Sequence, residues 1–179
     1  MLTGSKVTLR ALERGDLQTV WELRNDAAIE IISNGPPRPR SMAELEASFE
    51  KLTADREMHA FAIEANGRMV GQCNLRSIDA VHRRAELGIA LLAEEIGKGY
   101  GSDAVRVLLD YAFRHLNLHK VSLDTLSTNE PALRAYRACG FVEEGRLRSH
   151  EWSDGRYVDL VLMGVLRDEW IPAGDEPSG

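Results

Sequence analysis

The sequence predicts an α/β domain of the α+β kind: one mixed, mostly antiparallel sheet of about seven strands flanked by about four helices. Three observations predict it. Apolar and polar residues alternate in several short runs separated by tight-turn signals, Asn66-Gly67 and Ser153-Asp154-Gly155. A helical stripe runs through Ala104, Val107, Leu108, Tyr111, Ala112 and His115. Between the last of the early strands and this helix lies Ile96-Gly97-Lys98-Gly99-Tyr100-Gly101-Ser102, a turn too rich in glycine to be either element.

Taken in order, Lys6 to Leu12 alternates Val7, Leu9 and Ala11 with polar residues, the period of a strand. Gly15-Asp16 opens a helix with Leu17, Val20, Trp21 and Leu23 at helical spacing up to Asn25 and Asp16 as N-cap. Ser41-Met42-Ala43-Glu44 has the form of a capping box ahead of Leu45, Ser48, Phe49 and Leu52, while Pro36, Pro37 and Pro39 keep the connector before it out of helix. Met58 to Ala65 and Arg68 to Ile78 form a hairpin across Asn66-Gly67, and His82 to Leu92 extends that sheet. Lys120 to Leu126 reads as a further strand after the long helix. A shorter helix follows Asn129, with Ala132, Ala135, Tyr136 and Cys139 on one face and Gly140 as its stop. Strands Phe141 to Trp152 and Arg156 to Leu166 close a domain spanning 1–170, leaving 171–179 as a flexible tail.

The chain of 179 residues is the size of one domain. No apolar run approaches the roughly 20 residues that cross a bilayer, and the first residues lack the basic and apolar regions of a secretory signal. The expectation is a cytoplasmic protein, without a membrane partner. A formal charge of −6 argues against a nucleic-acid surface and mildly favours cationic partners. Cys73 and Cys139 are too few for a disulfide framework and lack metal-ligand spacing; they read as buried thiols, and no metal site is expected.

The glycine run is suited to an anion. Its glycines let the backbone turn tightly, so that successive amides converge at a helix start. A nucleotide-hydrolase phosphate loop is excluded because Lys98 follows the first glycine directly, and a dinucleotide fingerprint fails because Ser102 stands where its last glycine belongs. Taken alone, the run is equally compatible with a plain strand-to-helix turn. Its surroundings decide more. A helix of about 16 residues spans about 24 Å and a strand of about 7 residues roughly 23 Å, so the strand from Lys120 returns Asn129 to the level of the loop. The strands before and after the helix then run parallel through a crossover, and a ligand belongs at their C-terminal ends.

Glu86-Leu87-Gly88-Ile89-Ala90-Leu91, Gly97-Lys98-Gly99-Tyr100-Gly101 and Asn129 through Gly140-Phe141, in that order and spacing, resemble the GCN5-related N-acetyltransferases over most of residues 5 to 168. The subgroup resembled contains the ribosomal-protein alanine and the spermidine acetyltransferases, which the His82-Arg83-Arg84-Ala85-Glu86 run and the Gly155-Arg156-Tyr157-Val158-Asp159 turn also fit. The resemblance implies a splayed parallel strand pair holding acetyl-CoA, with its pyrophosphate on the amides around Ile96, Gly97, Lys98, Gly99, Tyr100, Gly101 and Ser102. Its extended arm would lie along Ile89, Ala90 and Leu91 as a pseudo-strand, with the thioester carbonyl polarised there. Ile96 departs from the family, which usually has Gln or Arg at that position; most donors in the loop are backbone, so coenzyme binding is expected to survive.

Acetyl transfer to an amine needs a base, a polarised carbonyl and a proton for the thiolate. Tyr136 matches the family tyrosine near the coenzyme sulfur and is the candidate acid; its alternative is a core tyrosine on the same stripe as Cys139. Asn129 suits both the coenzyme arm and the cap of its own helix. Glu86 is the candidate base, working directly or through water, or else a paired structural carboxylate.

His82, Arg83 and Arg84 read as solvated strand-end charges or as contacts to an acidic substrate or to the coenzyme, and His115 as structural. Trp21, Trp152 and Trp170 suit a pocket wall, the core or a partner surface. Glu30, Glu44 and Glu46 are candidate attractors of a polyamine, although Glu44 and Glu46 equally fit an ordinary capped helix, and Ile31-Ile32-Ser33-Asn34-Gly35-Pro36-Pro37 lacks the acidic cluster of the spermidine acetyltransferases. The expected reaction is direct acetylation, in a ternary complex, of a primary amine: a protein N-terminus, a polyamine or a small-molecule amine. The resemblance leaves room for a homodimer. The competing expectation is a non-catalytic acyl-CoA sensor or interaction module on the same fold.

Overall fold

The computed structural model describes residues 1–32, 37–55 and 57–170. The expected tail, 171–179, lies outside the described residues, as does 33–36, which holds most of the segment from Ile31 to Pro37 read above for an acidic cluster. Eight strands form one sheet in the order β1-β2-β3-β4-β5-β6-β8-β7. They are β1 (Leu2–Thr3), β2 (Thr8–Ala11), β3 (His59–Ala65), β4 (Arg68–Asp79), β5 (Arg84–Leu91), β6 (Lys120–Leu126), β7 (Val142–Ser153) and β8 (Arg156–Leu166). Every pairing is antiparallel except β5 with β6. Five helices among the described residues accompany them: α1 (Leu17–Asn25), α2 (Ala27–Ile32), α3 (Met42–Ala54), α4 (Tyr100–Asp110) and α5 (Glu130–Ala138).

Two elements exceed the expected count. β1 has only two residues, too few to show a period, and exists because Thr3 and Leu2 pair with Thr8 and Leu9. α2 is a six-residue turn whose start is set by Asp26, which accepts hydrogen bonds from the amides of Ala28 and Ile29 at 2.9 and 3.3 Å. Asp16 does not cap α1. Its carboxylate accepts instead from the Glu13 amide and from both terminal nitrogens of Arg10, each at 2.8 Å, because a 3₁₀ turn over Arg14–Asp16 precedes the helix. Ser41 does cap α3, accepting from the Glu44 amide at 3.2 Å. Both hairpin turns have the left-handed pair expected of them, Asn66-Gly67 at φ 53° and 74° and Asp154-Gly155 at 48° and 78°.

The main core lies between α4, with α5 beside it, and one face of the sheet: Ala104, Leu108, Leu109 and Phe113 pack on Leu9, Ile63, Leu75, Val121 and Met163. On the opposite face Val20 of α1 and Leu45 of α3 pack on Ala62 and Met69. The helical stripe breaks at its end. Tyr111–His115 adopts a π turn, in which the Leu116 amide reaches back five residues to Tyr111 at 3.1 Å. That extra residue rotates the stripe, so Phe113 enters the core fully buried and His115 emerges on the surface. Filling the core with a phenyl ring in place of an imidazole stabilises it by about 1.5–3 kcal/mol relative to leaving that ring exposed.

Candidate active site

The parallel pair is joined only at its start. Arg84, Ala85 and Glu86 pair with Lys120, Val121 and Ser122, and beyond them no pairing continues. β5 remains bonded to β4 as far as Leu91, and β6 to β8 as far as Leu126. The strands therefore diverge, and β5 from Leu87 to Leu91 presents an unpaired backbone edge to the gap. Unpaired peptide groups in a partly buried edge call for an extended partner.

A cleft of 660 Å³ fills this gap. Its walls include Leu87, Ile89 and Leu91, which pack with α4, and Gly88 and Ala90, which alternation places on the face of α1 and α2. The cleft thus passes through the sheet at the split. A long ligand can enter from one face and meet a second molecule arriving from the other.

At its α4 end stand Ile96, Gly97, Gly99, Gly101 and Ser102. Gly97 and Gly99 have φ of 83° and 84°, which favours glycine, and a Cβ on Gly97 would meet open space rather than protein. Gly99 is the N-cap of α4 and supplies no side-chain cap, so the first-turn amides and the helix dipole are free to receive phosphates. Lys98 and Tyr100 turn their side chains elsewhere. Lys98 donates to buried Glu95 at 3.0 Å, and the hydroxyl of Tyr100 accepts from Asn66 at 3.2 Å. Glu95 also pairs with Arg68; hydrogen bonds from Lys98 and Arg68 outweigh desolvation and hold its carboxyl below the usual range. Buried Glu95 thus ties Lys98 and Arg68 beneath the loop, so Lys98 and Tyr100 present to the cleft side of the loop only their backbone.

The cation at the loop is one that sequence reasoning missed. Lys6 donates from Nζ to the Lys98 carbonyl at 3.1 Å, and a Cβ on Gly99 would lie 2.7 Å from that nitrogen. Asp103, in the first turn of α4, draws Lys6 there: it accepts from the amides of Ser5, Lys6 and Val7 and from the Ser5 hydroxyl. Desolvation opposes the charge on Asp103, but these four bonds outweigh it and keep the carboxyl below its ordinary value.

Tyr136 reaches the cleft from α5, half-buried against Phe141 with ring centroids 5.8 Å apart. Burial, aided by the charge of Asp124 and by Cys139, pushes its phenol up to about 12. Asn129 lines the cleft and also caps α5, accepting from the Ala132 amide at 3.3 Å. Asp124 on β6 and Glu151 on β7 complete the wall, together with Asn74 on β4 and Arg24 on α1. The sequence carries no local signal for these four, which become neighbours only through sheet order.

Glu86 lies outside this cleft. Half-exposed, it accepts from Arg76 at 3.0 Å and lines a separate depression with Glu57, Asp79, Arg84 and Ser122. Arg76 itself borders the cleft, so Glu86 meets the site through that guanidinium. Among the described residues no three His, Cys, Asp or Glu side chains converge as a metal site. Cys73 is buried and its thiol pushed far up by desolvation; Cys139 is buried with Sγ 3.5 Å from the Ser102 carbonyl. His82 and Arg83 are exposed, and Arg84 pairs with Asp79 at 3.6 Å. Trp21 donates to the Arg40 carbonyl at 2.9 Å, Trp152 packs on Tyr157 at the surface, and Trp170 covers Phe113. No helix among the described residues is long and apolar enough to cross a membrane.

A splayed parallel pair, a glycine-rich helix start and a tyrosine at the split define an acyl-CoA transferase. Residues 6–142 match the acetyltransferase (GNAT) domain family, and the chain belongs to it. It is 38% identical over 169 residues to the spermidine N(1)-acetyltransferase of Vibrio cholerae serotype O1, covering 93% of this chain and 96% of that one. The spermidine N(1)-acetyltransferase of Escherichia coli K12 is 33% identical over 178 residues, covering 99% and 95%. Among solved structures, that of spermidine N-acetyltransferase from V. cholerae with CoA and spermine superimposes with a TM-score of 0.87 at 37% identity, covering 92% and 98%. The protein is an acetyl-CoA-dependent N-acyltransferase acting on an amine, which sets aside the non-catalytic sensor.

Proposed function

We propose that the acceptor is a linear polyamine of the spermidine type, acetylated at a primary amine by direct attack within the cleft. The observation that carries this reading is the pair of carboxylates, Asp124 and Glu151, in the walls of the cleft that also receives Tyr136. A polyamine is a flexible chain of spaced cations, and carboxylates in a half-enclosed site attract it more strongly than in open water. The relatives from V. cholerae and E. coli act on spermidine, which supports the same acceptor class. Acidic residues near the first helices contribute less. Glu30 is buried and paired with Arg24 and Arg40, Glu44 pairs with Arg38, and Glu46 is exposed.

Acetyl-CoA supplies the activated acetyl thioester. Amides on the free edge of Ile89 to Leu91 hold its arm and polarise the carbonyl, while the loop from Ile96 to Ser102 and Lys6 hold the phosphates. The amine nitrogen bonds the carbonyl carbon as the carbon–sulfur bond breaks; nitrogen loses a proton and sulfur gains one. Tyr136 supplies the sulfur's proton, because its phenol stays protonated up to about 12. Asp124 and Glu151 hold the acceptor's ammonium groups. Glu86 takes the amine's proton through water, since it borders the site only by way of Arg76. A cytoplasmic location accords with a donor that is an intracellular metabolite.

An amine panel with acetyl-CoA tests this. Spermidine and spermine are expected to exceed neutral-chain monoamines and N-terminal peptides by about tenfold or more in kcat/KM, with Asp124→Asn and Glu151→Gln erasing the advantage. Equal rates for a monoamine or a peptide would overturn the polyamine assignment.

A further inference from the structure

Asn74 carries a polar atom that the free protein leaves unused. Its Oδ1 is buried and has no hydrogen-bond partner among the described residues, yet Asn74 lines the cleft. A buried carbonyl without a donor destabilises the free protein. Such an atom in a ligand cleft calls for a donor from the ligand.

Its placement is specific. In the antiparallel register Asn74 stands opposite Gly88, and a Cβ at Gly88 would fall 2.9 Å from Oδ1 and 3.4 Å from Cγ. Glycine at 88 therefore lets the amide lie across β5, where the strand leaves β6. Alternation puts Asn74 on the face of α1 and α2, since its neighbours Cys73 and Leu75 point into the core beneath α4. That face is the one opposite the glycine-rich loop, and so the side from which a second substrate reaches the split.

We propose that Asn74 is the binding residue for the reacting amine: its Oδ1 accepts an N–H from the acceptor and holds the nitrogen beside the backbone of Gly88 and Ile89. This rests on the amine-acceptor reading above. The group suits that role because a neutral amide carbonyl accepts from an ammonium and from a free amine alike. It keeps hold of the nitrogen through deprotonation, whereas a carboxylate would favour the charged, unreactive form.

The test compares Asn74→Leu, which removes the acceptor atom at similar size, with Asn74→Asp, which keeps an oxygen there. Steady-state kinetics with spermidine, or with the best amine of the panel, are read beside calorimetric binding of CoA alone and of the amine to the CoA-bound protein. Asn74→Leu is expected to raise the acceptor KM and weaken acceptor binding about tenfold, with CoA affinity unchanged and Asn74→Asp retaining acceptor affinity. Unchanged acceptor binding in Asn74→Leu overturns the proposal. So does a matching loss of CoA affinity, which would assign Oδ1 to the coenzyme arm. A wild type that binds CoA but turns over no amine removes both this inference and the function on which it rests; an active wild type with an indifferent Asn74→Leu removes only the role of Asn74.

Discussion

The backbone amide of Lys6 donates to the carboxylate of Asp103 at 2.6 Å, across 97 positions of sequence. This bond fastens the first strands to the opening turn of α4 and delivers the Lys6 ammonium to the glycine-rich loop. One acidic side chain therefore serves both the fold and the placement of a cation at the glycine-rich loop.

Replacing Asp103 by Ala leaves the amides of Ser5, Lys6 and Val7 without their acceptor, and about 3 kcal/mol of stability is expected to go with it. In thermal denaturation that corresponds to a fall of about 6–12 °C in Tm. The folded carboxyl is depressed, so its contribution is fully present above the unfolded carboxylate value and is lost as pH falls through the folded one. Acid titration of stability in wild type and variant should converge at low pH; parallel curves would refute the assignment.

Lys6→Ala removes the cation but none of the bonds to Asp103, which come from the amides of Ser5, Lys6 and Val7 and from the Ser5 hydroxyl. Tm should stay within about 0.5 kcal/mol equivalent of wild type while CoA affinity falls about threefold to tenfold. The deficit should shrink in added salt, because a half-exposed charge facing phosphate is screened. Calorimetric titration at two ionic strengths checks this.

Tyr136→Phe should lower kcat about a hundredfold or more, with CoA affinity nearly unchanged. Since the phenol remains protonated up to about 12, it imposes no alkaline limb on the wild-type profile below pH 11 or so. Activity should rise with pH as the amine deprotonates. A wild-type alkaline limb near pH 8 that vanishes in Tyr136→Phe would show the phenol titrating far lower than its burial implies.

Glu86→Gln separates a relayed base from a structural carboxylate. Acting as the base, Glu86 matters most where the amine is protonated, so the variant's deficit should be greatest near pH 7 and fade toward pH 10. A deficit that is constant with pH would leave Glu86 as the ion-pair partner of Arg76 and nothing more.

Much of the fold was legible because its signals are local. The hairpin at Asn66-Gly67, the Ser41 cap and the stripe of α4 each depend on residues within a few positions of one another. Errors arose where a short segment or a distant partner intervened: α2 is too short to show a period, Asp16 turns to Arg10, and the π turn exchanges Phe113 for His115. The donor half of the site was readable in the same way, as a glycine run followed by Asn129 and Tyr136, all of which now border one cleft.

The sequence by itself determined most of the elements, the family resemblance and the glycine-rich end of the cleft, because backbone propensity and motif spacing are properties of contiguous residues. Tertiary structure alone decided which further side chains line the cleft. Asn74 over Gly88, Asp124 beside Tyr136, and Glu151 across the split meet through the register of β4 with β5 and the divergence of β5 from β6. A one-residue slip in any of these strands would turn the same residues to the opposite face, and no local pattern in the chain records which of the two faces carries the chemistry.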